Sequence, residues 1–174
     1  KGIPAAMFMM TAKTIIKDLA ERGLSVDEIF TLANDKLCEN NESGMFVTAW
    51  IGKFDLSTGK LSFANAGHNP PVIVHANGEC EYLKTRPGFV LAGMEGIKYR
   101  ENEITLSKGD RIFLYTDGVT EATDINETLY GEERLLSYID KNRNMNAEDL
   151  LSGLKENIDL FAGDAPQFDD ITML

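Results

Sequence analysis

The 174-residue chain carries 28 acidic and 17 basic side chains, a formal net charge of −11, with 43% hydrophobic and 26% charged residues. That length suits one domain with a sizeable core rather than two, and the composition belongs to a globular chain rather than a disordered one. The charge repels a phosphate backbone with no Lys/Arg stripe to compensate, and no apolar run is long enough to span a bilayer, so nucleic acid and membrane are excluded as partners of this segment.

In chain order, Pro4 sits where a first helical turn tolerates its missing N–H, and Phe8, Ala12, Ile15 and Leu19 recur at helical spacing up to Gly23. Ser25 to Glu28, "SVDE", has the form of a capping box and opens a second helix whose apolar face is Val26, Ile29, Phe30, Ala33 and Leu37. From Met45 the pattern becomes strand-like. "MFVTAWIGKF" is apolar on both alternating faces and predicts a strand buried between two layers. "DLSTGK" predicts a turn into "LSFANA", and "VIVH", "ANGE", "CEYL" predict strand, Asn-Gly turn, strand. Further strands are predicted at Glu103–Leu106 and Arg111–Thr116, joined by "SKGD". Two helices follow, one with Leu135, Leu136 and Ile139 on a face. The other carries Leu150, Leu151, Leu154, Ile158 and Phe161 behind the cap residue Asn146. The last segment, "FDDITML", begins a strand-like run. Helices, antiparallel strands, helices and a strand, in that order, predict an α+β layered fold with no internal domain boundary.

Cys38 and Cys80 are the only cysteines, without a CxxC spacing or a neighbouring histidine. That argues against a zinc site or disulfide framework and predicts reduced thiols in a cytoplasmic protein. No signal-peptide pattern opens the chain.

Two acidic features stand out. Asp117-Gly118 follows the apolar run "RIFLYT" and has the form of a hairpin turn, yet "GVTEATDINET" after it lacks the alternation of a partner strand. The other reading is a carboxylate held at a strand end, with Gly118 allowing close backbone approach. At Asp169-Asp170, two adjacent carboxylates about 5 Å apart repel by roughly 3 kcal/mol at an effective dielectric of about 20. A cation reverses that sign, whereas a solvated strand end avoids the problem. Strand geometry sends the two side chains to opposite faces, so only one readily serves a shared centre. His68 and His75 are the only histidines. With neither in a helical ligand pair, carboxylate oxygens remain as donors, and these select Mg²⁺ or Mn²⁺ over Zn²⁺. Such ions polarise a phosphoryl oxygen and activate water, a route to hydrolysis without a protein nucleophile.

Four segments occurring in order, "KGIPAAMFM", "FANAGHNPP", "GDRIFLYTDGVTEA" and "FDDITML", resemble the SpoIIE/RsbU-like bacterial phosphatases. These belong to the PPM class, the type 2C metal-dependent serine/threonine protein phosphatases. The resemblance spans essentially the whole chain. It implies an αββα layered sandwich holding a dinuclear Mn²⁺ or Mg²⁺ centre that activates water against phosphoserine or phosphothreonine. By that resemblance, Asp117 of "TDG" and Asp169, the first acid of "DDIT", are the metal-binding catalytic residues. Asp170 stands where the family has Asn or Asp and is not counted. Pro70-Pro71 give "AGHNPP" the extended backbone of a structural turn, and His68 is assigned no chemical role.

The family carries two further acidic motifs upstream of "KGIPAAM", of which only Lys1-Gly2 stands here. The expectation is therefore that residues 1–174 form a single, partial phosphatase domain missing its first strands. It should bind metal weakly, be weak or inactive alone, and expose a sheet edge that favours a homodimer or aggregation. The resemblance implies a phosphorylated anti-sigma-factor antagonist as partner and an upstream sensor or receiver domain in the parent protein. Two other readings stand beside it: a non-catalytic PPM-like binding module, and an unrelated acidic α+β interaction protein in which the four motifs are coincidence.

Overall fold

The computed structural model describes residues 2–39, 41–167 and 169–174. The fold is α+β, and the chain divides into two compact units built from interleaved segments. The first is Lys1–His68 with Thr85–Leu106; the second is Asn69–Lys84 with Ser107–Leu174.

In the first unit, α1 (Ile3–Glu21) and α2 (Val26–Cys38) form the expected helical pair. Pro4 lies in the first turn of α1, and Gly23, at φ 78°, follows its end. At the start of α2 the Ser25 N–H donates to Glu28 Oε2 at 3.1 Å, the reciprocal half of the capping box. The sheet has the order β1-β2-β5, from β1 (Ala49–Asp55), β2 (Lys60–Ala66) and β5 (Asn102–Thr105), all antiparallel. Helix α2 packs its face of Val26, Ile29, Phe30, Ala33 and Leu37 against Ala64 and Ala66 of β2, while Ala12 and Leu19 of α1 join the same core. Phe30 meets Tyr99 edge-on at 5.6 Å.

Asn34 is the polar exception, fully buried on the apolar face of α2. Its Oδ1 accepts from the Ala92 N–H (3.0 Å) and its Nδ2 donates to the Met94 carbonyl (2.9 Å), so it pins a loop some 60 positions away to the helix. Strand β1 departs from expectation. Among the described residues it lies at the edge of the sheet beside β2, and Gly52–Asp55 are exposed rather than buried between layers. An apolar residue on both faces of a pattern does not require cover on both faces; Phe54 is 47% exposed.

The second unit contains the sheet β4-β3-β6, from β3 (Val72–Val74), β4 (Cys80–Tyr82) and β6 (Arg111–Phe113), and the helices α3 (Asp117–Thr120), α4 (Gly131–Lys141) and α5 (Ala147–Ala162). The turn between β3 and β4 contains Asn77-Gly78, as predicted, with Gly78 at φ 91°. Asn146 caps α5 by accepting from the Asp149 N–H at 2.9 Å. Val72, Val74, Phe113, Val119, Leu135 and Ile139 are among the residues of its core, with Leu154 and Ile158 from α5. Cys38 and Cys80 are free thiols. No described helix is long and apolar enough to cross a membrane.

Candidate metal centre

Strand β6 does not stop chemically at Phe113. Leu114 exchanges backbone hydrogen bonds with Leu174 in both directions at 2.9 Å, and the Thr116 N–H donates to the Thr172 carbonyl at 3.0 Å. Tyr115 and Met173 form the antiparallel bridge between them. The closing segment is thus a short strand-like pairing partner of 114–116, in line with the strand-like reading of "DDITML"; Phe168 lies outside the described residues.

Thr116 secures the end of this pairing with its side chain. Its hydroxyl donates to the Asp170 carbonyl (3.0 Å) and accepts from the Thr172 N–H (3.0 Å). Directly after it the chain enters α3, where Val119 N–H donates to Thr116 O (3.0 Å) and Glu121 N–H to Asp117 O (2.8 Å). Asp117-Gly118 is therefore the opening of a one-turn helix, not the centre of a hairpin.

Gly118 is buried, and the two segments touch there. A Cβ on Gly118 would lie 2.4 Å from the Asp170 carbonyl oxygen and 3.3 Å from that of Asp169. Only hydrogen in place of a side chain permits this approach. The structure consequently brings the backbone at Asp117-Gly118 beside the backbone at Asp169-Asp170, from positions more than 50 apart in sequence. Both aspartates are held in the same local manner: Asp117 Oδ1 accepts from the Gly118 N–H (2.9 Å) and Asp169 Oδ1 from the Asp170 N–H (2.8 Å). Asp117 is exposed, Asp169 half-buried and Asp170 exposed. Gln167 Nε2 donates to the Asp169 carbonyl at 2.8 Å and steadies the approach to the pair.

Two neighbours were not legible in the sequence. Asn69, inside "AGHNPP", donates from Nδ2 to Thr120 Oγ1 (3.4 Å) and so ties the front of the second unit to α3. Tyr115 is buried one residue before Thr116, and burial, with the Glu132 charge adding to it, pushes its phenol up to about 12. It stays neutral at any working pH. His68 ends the first unit in a tight closure: its N–H donates to Asn65 Oδ1 (2.7 Å) and its carbonyl accepts from Asn65 Nδ2 (2.9 Å). A cavity of about 180 Å³ adjoins Gly118, lined by Ala122, Ile158, Pro166 and Ile171 among others, and neither Asp117 nor Asp169 contributes to its wall.

As a donor set, two carboxylates supply the hard oxygen ligands that Mg²⁺ and Mn²⁺ take. Among the described residues, no group of three or more His, Cys, Asp or Glu side chains is placed to hold a metal ion. The pair fits such an ion in kind and leaves most of its coordination shell to other ligands.

The family model for Stage II sporulation protein E (SpoIIE) matches residues 1–174. The chain belongs to the SpoIIE family. Protein IcfG of Synechocystis sp. is 29% identical over 201 residues, covering 100% of this chain and 31% of that protein. The phosphoserine phosphatase RsbU of Bacillus subtilis is 27% identical over 174 residues, covering 100% of this chain and 51% of RsbU. The chain thus spans about half the length, or less, of these relatives. Among solved structures, the SiaA-PP2C domain of Pseudomonas aeruginosa superposes with a TM-score of 0.83 at 21% identity, covering 99% of this chain and 69% of that one. RsbX in complex with magnesium (TM-score 0.65, 21% identity, 93% of this chain and 70% of that one) and the catalytic domain of PstP in complex with two manganese ions (0.64, 16%, 97% and 78%) share the fold. The architecture of this SpoIIE-family chain is accordingly a PPM-type α+β fold.

Proposed function

We propose that this chain is part of a PPM-type protein serine/threonine phosphatase domain in which Asp117 and Asp169 are ligands of Mg²⁺ or Mn²⁺. The observation that carries the reading is the contact at Gly118, which sets the two aspartate segments side by side through backbone alone. The name of RsbU, a phosphoserine phosphatase, and the metals in the RsbX and PstP structures support it.

Each part of the chain has a defined task in this reading. Thr116 fixes the pairing that aligns the two segments, Gly118 lets them close, and the N–H groups of Gly118 and Asp170 orient one oxygen of each carboxylate. A bound Mg²⁺ or Mn²⁺ would supply polarisation of a phosphoryl oxygen and activation of water. Two carboxylates alone bind such an ion weakly, so this chain by itself is a poor catalyst and the parent protein is the active species. Residues 1–174 act as one partial domain of a cytoplasmic signalling protein. Its substrate is a phosphorylated protein of the sigma-factor control circuits, an anti-sigma-factor antagonist, and a sensor or receiver domain in the parent governs activity.

The test is Mn²⁺-dependent phosphate release from a phosphoserine protein by the full-length parent. Asp117→Asn and Asp169→Asn are each expected to lower kcat/KM by about 100-fold or more, since each removes a charged metal ligand. Binding of the phosphoprotein without turnover in the unmodified parent would instead favour a non-catalytic binding module. Full activity in both variants would overturn the ligand assignment.

A further inference from the structure

We infer that the first unit carries an oxyanion site, specific for a phosphate group, in the cavity that Tyr99 helps to line. The inference is independent of the phosphatase reading, since it involves neither Asp117 nor Asp169. The cavity, of about 190 Å³, is lined by Asn65, Arg86, Gly88, Lys98, Arg100 and Asn102, with Pro87 and Tyr99 completing it. Three cations and no acid line it, in a chain whose acids outnumber its bases by 28 to 17.

The segregation has a structural cause. Strand alternation around β5 sends Arg100 and Asn102 to this cavity, while Glu101 and Glu103 line a different one beside Lys53 and Lys60. Glu103 there pairs with Lys60 at 2.5 Å. Among the described residues, Arg86, Lys98 and Arg100 have no acidic partner within salt-bridge distance, and all three are exposed.

The floor beneath these cations is fixed. Tyr99 is buried and its hydroxyl donates to the Val90 carbonyl at 3.2 Å, and the Gly88 N–H donates to the Asn65 carbonyl at 2.8 Å. Asn65 in turn holds both backbone groups of His68. The Asn65–His68 closure thus buttresses the cavity. A cavity of that size accommodates a phosphate group with part of its hydration. Two guanidinium forks and an ammonium suit a phosphate dianion better than a carboxylate, because its three terminal oxygens and second negative charge can meet all three cations, whereas a carboxylate offers two oxygens and one charge.

The experiment is titration of the chain with inorganic phosphate by calorimetry and ³¹P NMR, in EDTA and at constant ionic strength. Saturable binding is expected, competed by sulfate and not by chloride. The exposed-site double variant Arg86→Gln/Arg100→Gln should fold normally and bind about tenfold or more weakly, as expected for lost charge-assisted hydrogen bonds. Asp117→Asn should leave the affinity unchanged. A phosphoserine peptide that binds more tightly than inorganic phosphate identifies a phosphorylated side chain as the natural ligand, and equal affinity identifies free phosphate. Absence of saturable binding, equal affinity in the double variant, or loss of binding in Asp117→Asn would each overturn the inference.

Discussion

Replacing Gly118 by alanine places a methyl group 2.4 Å from the Asp170 carbonyl oxygen, where ordinary contact begins at 3.4 Å. The difference, 3.4 − 2.4, requires a displacement of about 1 Å, and the obstacle is backbone, which cannot rotate aside as a side chain would. Two effects oppose each other. Gly118 sits in a helical turn without a positive φ, so alanine should gain up to about 1 kcal/mol of helix propensity. Overpacking against a fixed neighbour costs roughly 1–3 kcal/mol, and here the neighbour is held by the Thr116 hydroxyl and by the paired 114–116 and 172–174 backbones. The clash wins, and the expected net loss is about 1–2 kcal/mol of stability. The functional loss should be larger than the thermal one suggests. A shift of about 1 Å between the two aspartate segments is enough to cost on the order of 100-fold in rate at a positioned catalytic site. Thermal unfolding of the chain in EDTA reads the first quantity, and Mn²⁺-dependent turnover by the full-length parent reads the second. Wild-type melting together with wild-type turnover in Gly118→Ala would refute the claim that this contact sets the geometry of the pair.

Other consequences are equally direct. Asn34→Ala leaves the Ala92 N–H and the Met94 carbonyl without their buried partner and should destabilise the first unit by about 1–3 kcal/mol in urea or thermal unfolding. A variant as stable as wild type would show that the 92–94 loop does not depend on it. His75 lies 3.2 Å from Glu81 and 3.5 Å from Asp110, and the Glu81 hydrogen bond, reinforced by Asp110, raises its pKa above the ordinary 6.5. The folded state therefore holds the proton more tightly than the unfolded one. This stabilisation is complete below the unfolded value and is lost as pH rises through the folded value; melts between about pH 5 and pH 8 should show it, and His75→Gln should flatten the slope. Asp110 behaves oppositely. Backbone N–H groups of Ala76 and Ser107, each at 2.8 Å, hold its carboxyl below 3.8, so its contribution is present above that value and lost as pH falls through the lowered one. Asp110→Asn should remove this acid-limb loss and weaken the hold on His75.

Local chemistry explains what the sequence made readable. The Ser25–Glu28 cap, the Asn77-Gly78 turn and the Asn146 cap each join residues within four positions, so their partners are visible in one short window. Strand pairing is different, because burial over long separations decides it. Strands β5 and β6 are joined by Leu106–Asp110, whose "SKGD" reads like a hairpin turn, yet β5 pairs with β2 and β6 with β3. Asn34 is invisible for the same reason: on a helix face it looks like a polar interruption, and its meaning appears only once residues 92–94 arrive. Helix α3 is a single turn within a polar stretch and leaves too few residues for any period. The aspartate pair combines both cases. The residue types at 117 and 169 were legible as carboxylates suited to a hard cation, but the sequence carried no local sign of their adjacency. That adjacency is produced by the pairing of 114–116 with residues 172–174, where a glycine and a threonine hydroxyl close two distant segments onto each other. It follows that Thr116, although not a ligand, governs the alignment. Thr116→Val keeps the shape and removes both hydroxyl hydrogen bonds, so it should weaken the metal dependence of the parent while leaving the rest of the sheet intact. An unchanged Mn²⁺ requirement in that variant would place control of the alignment in the backbone pairing alone.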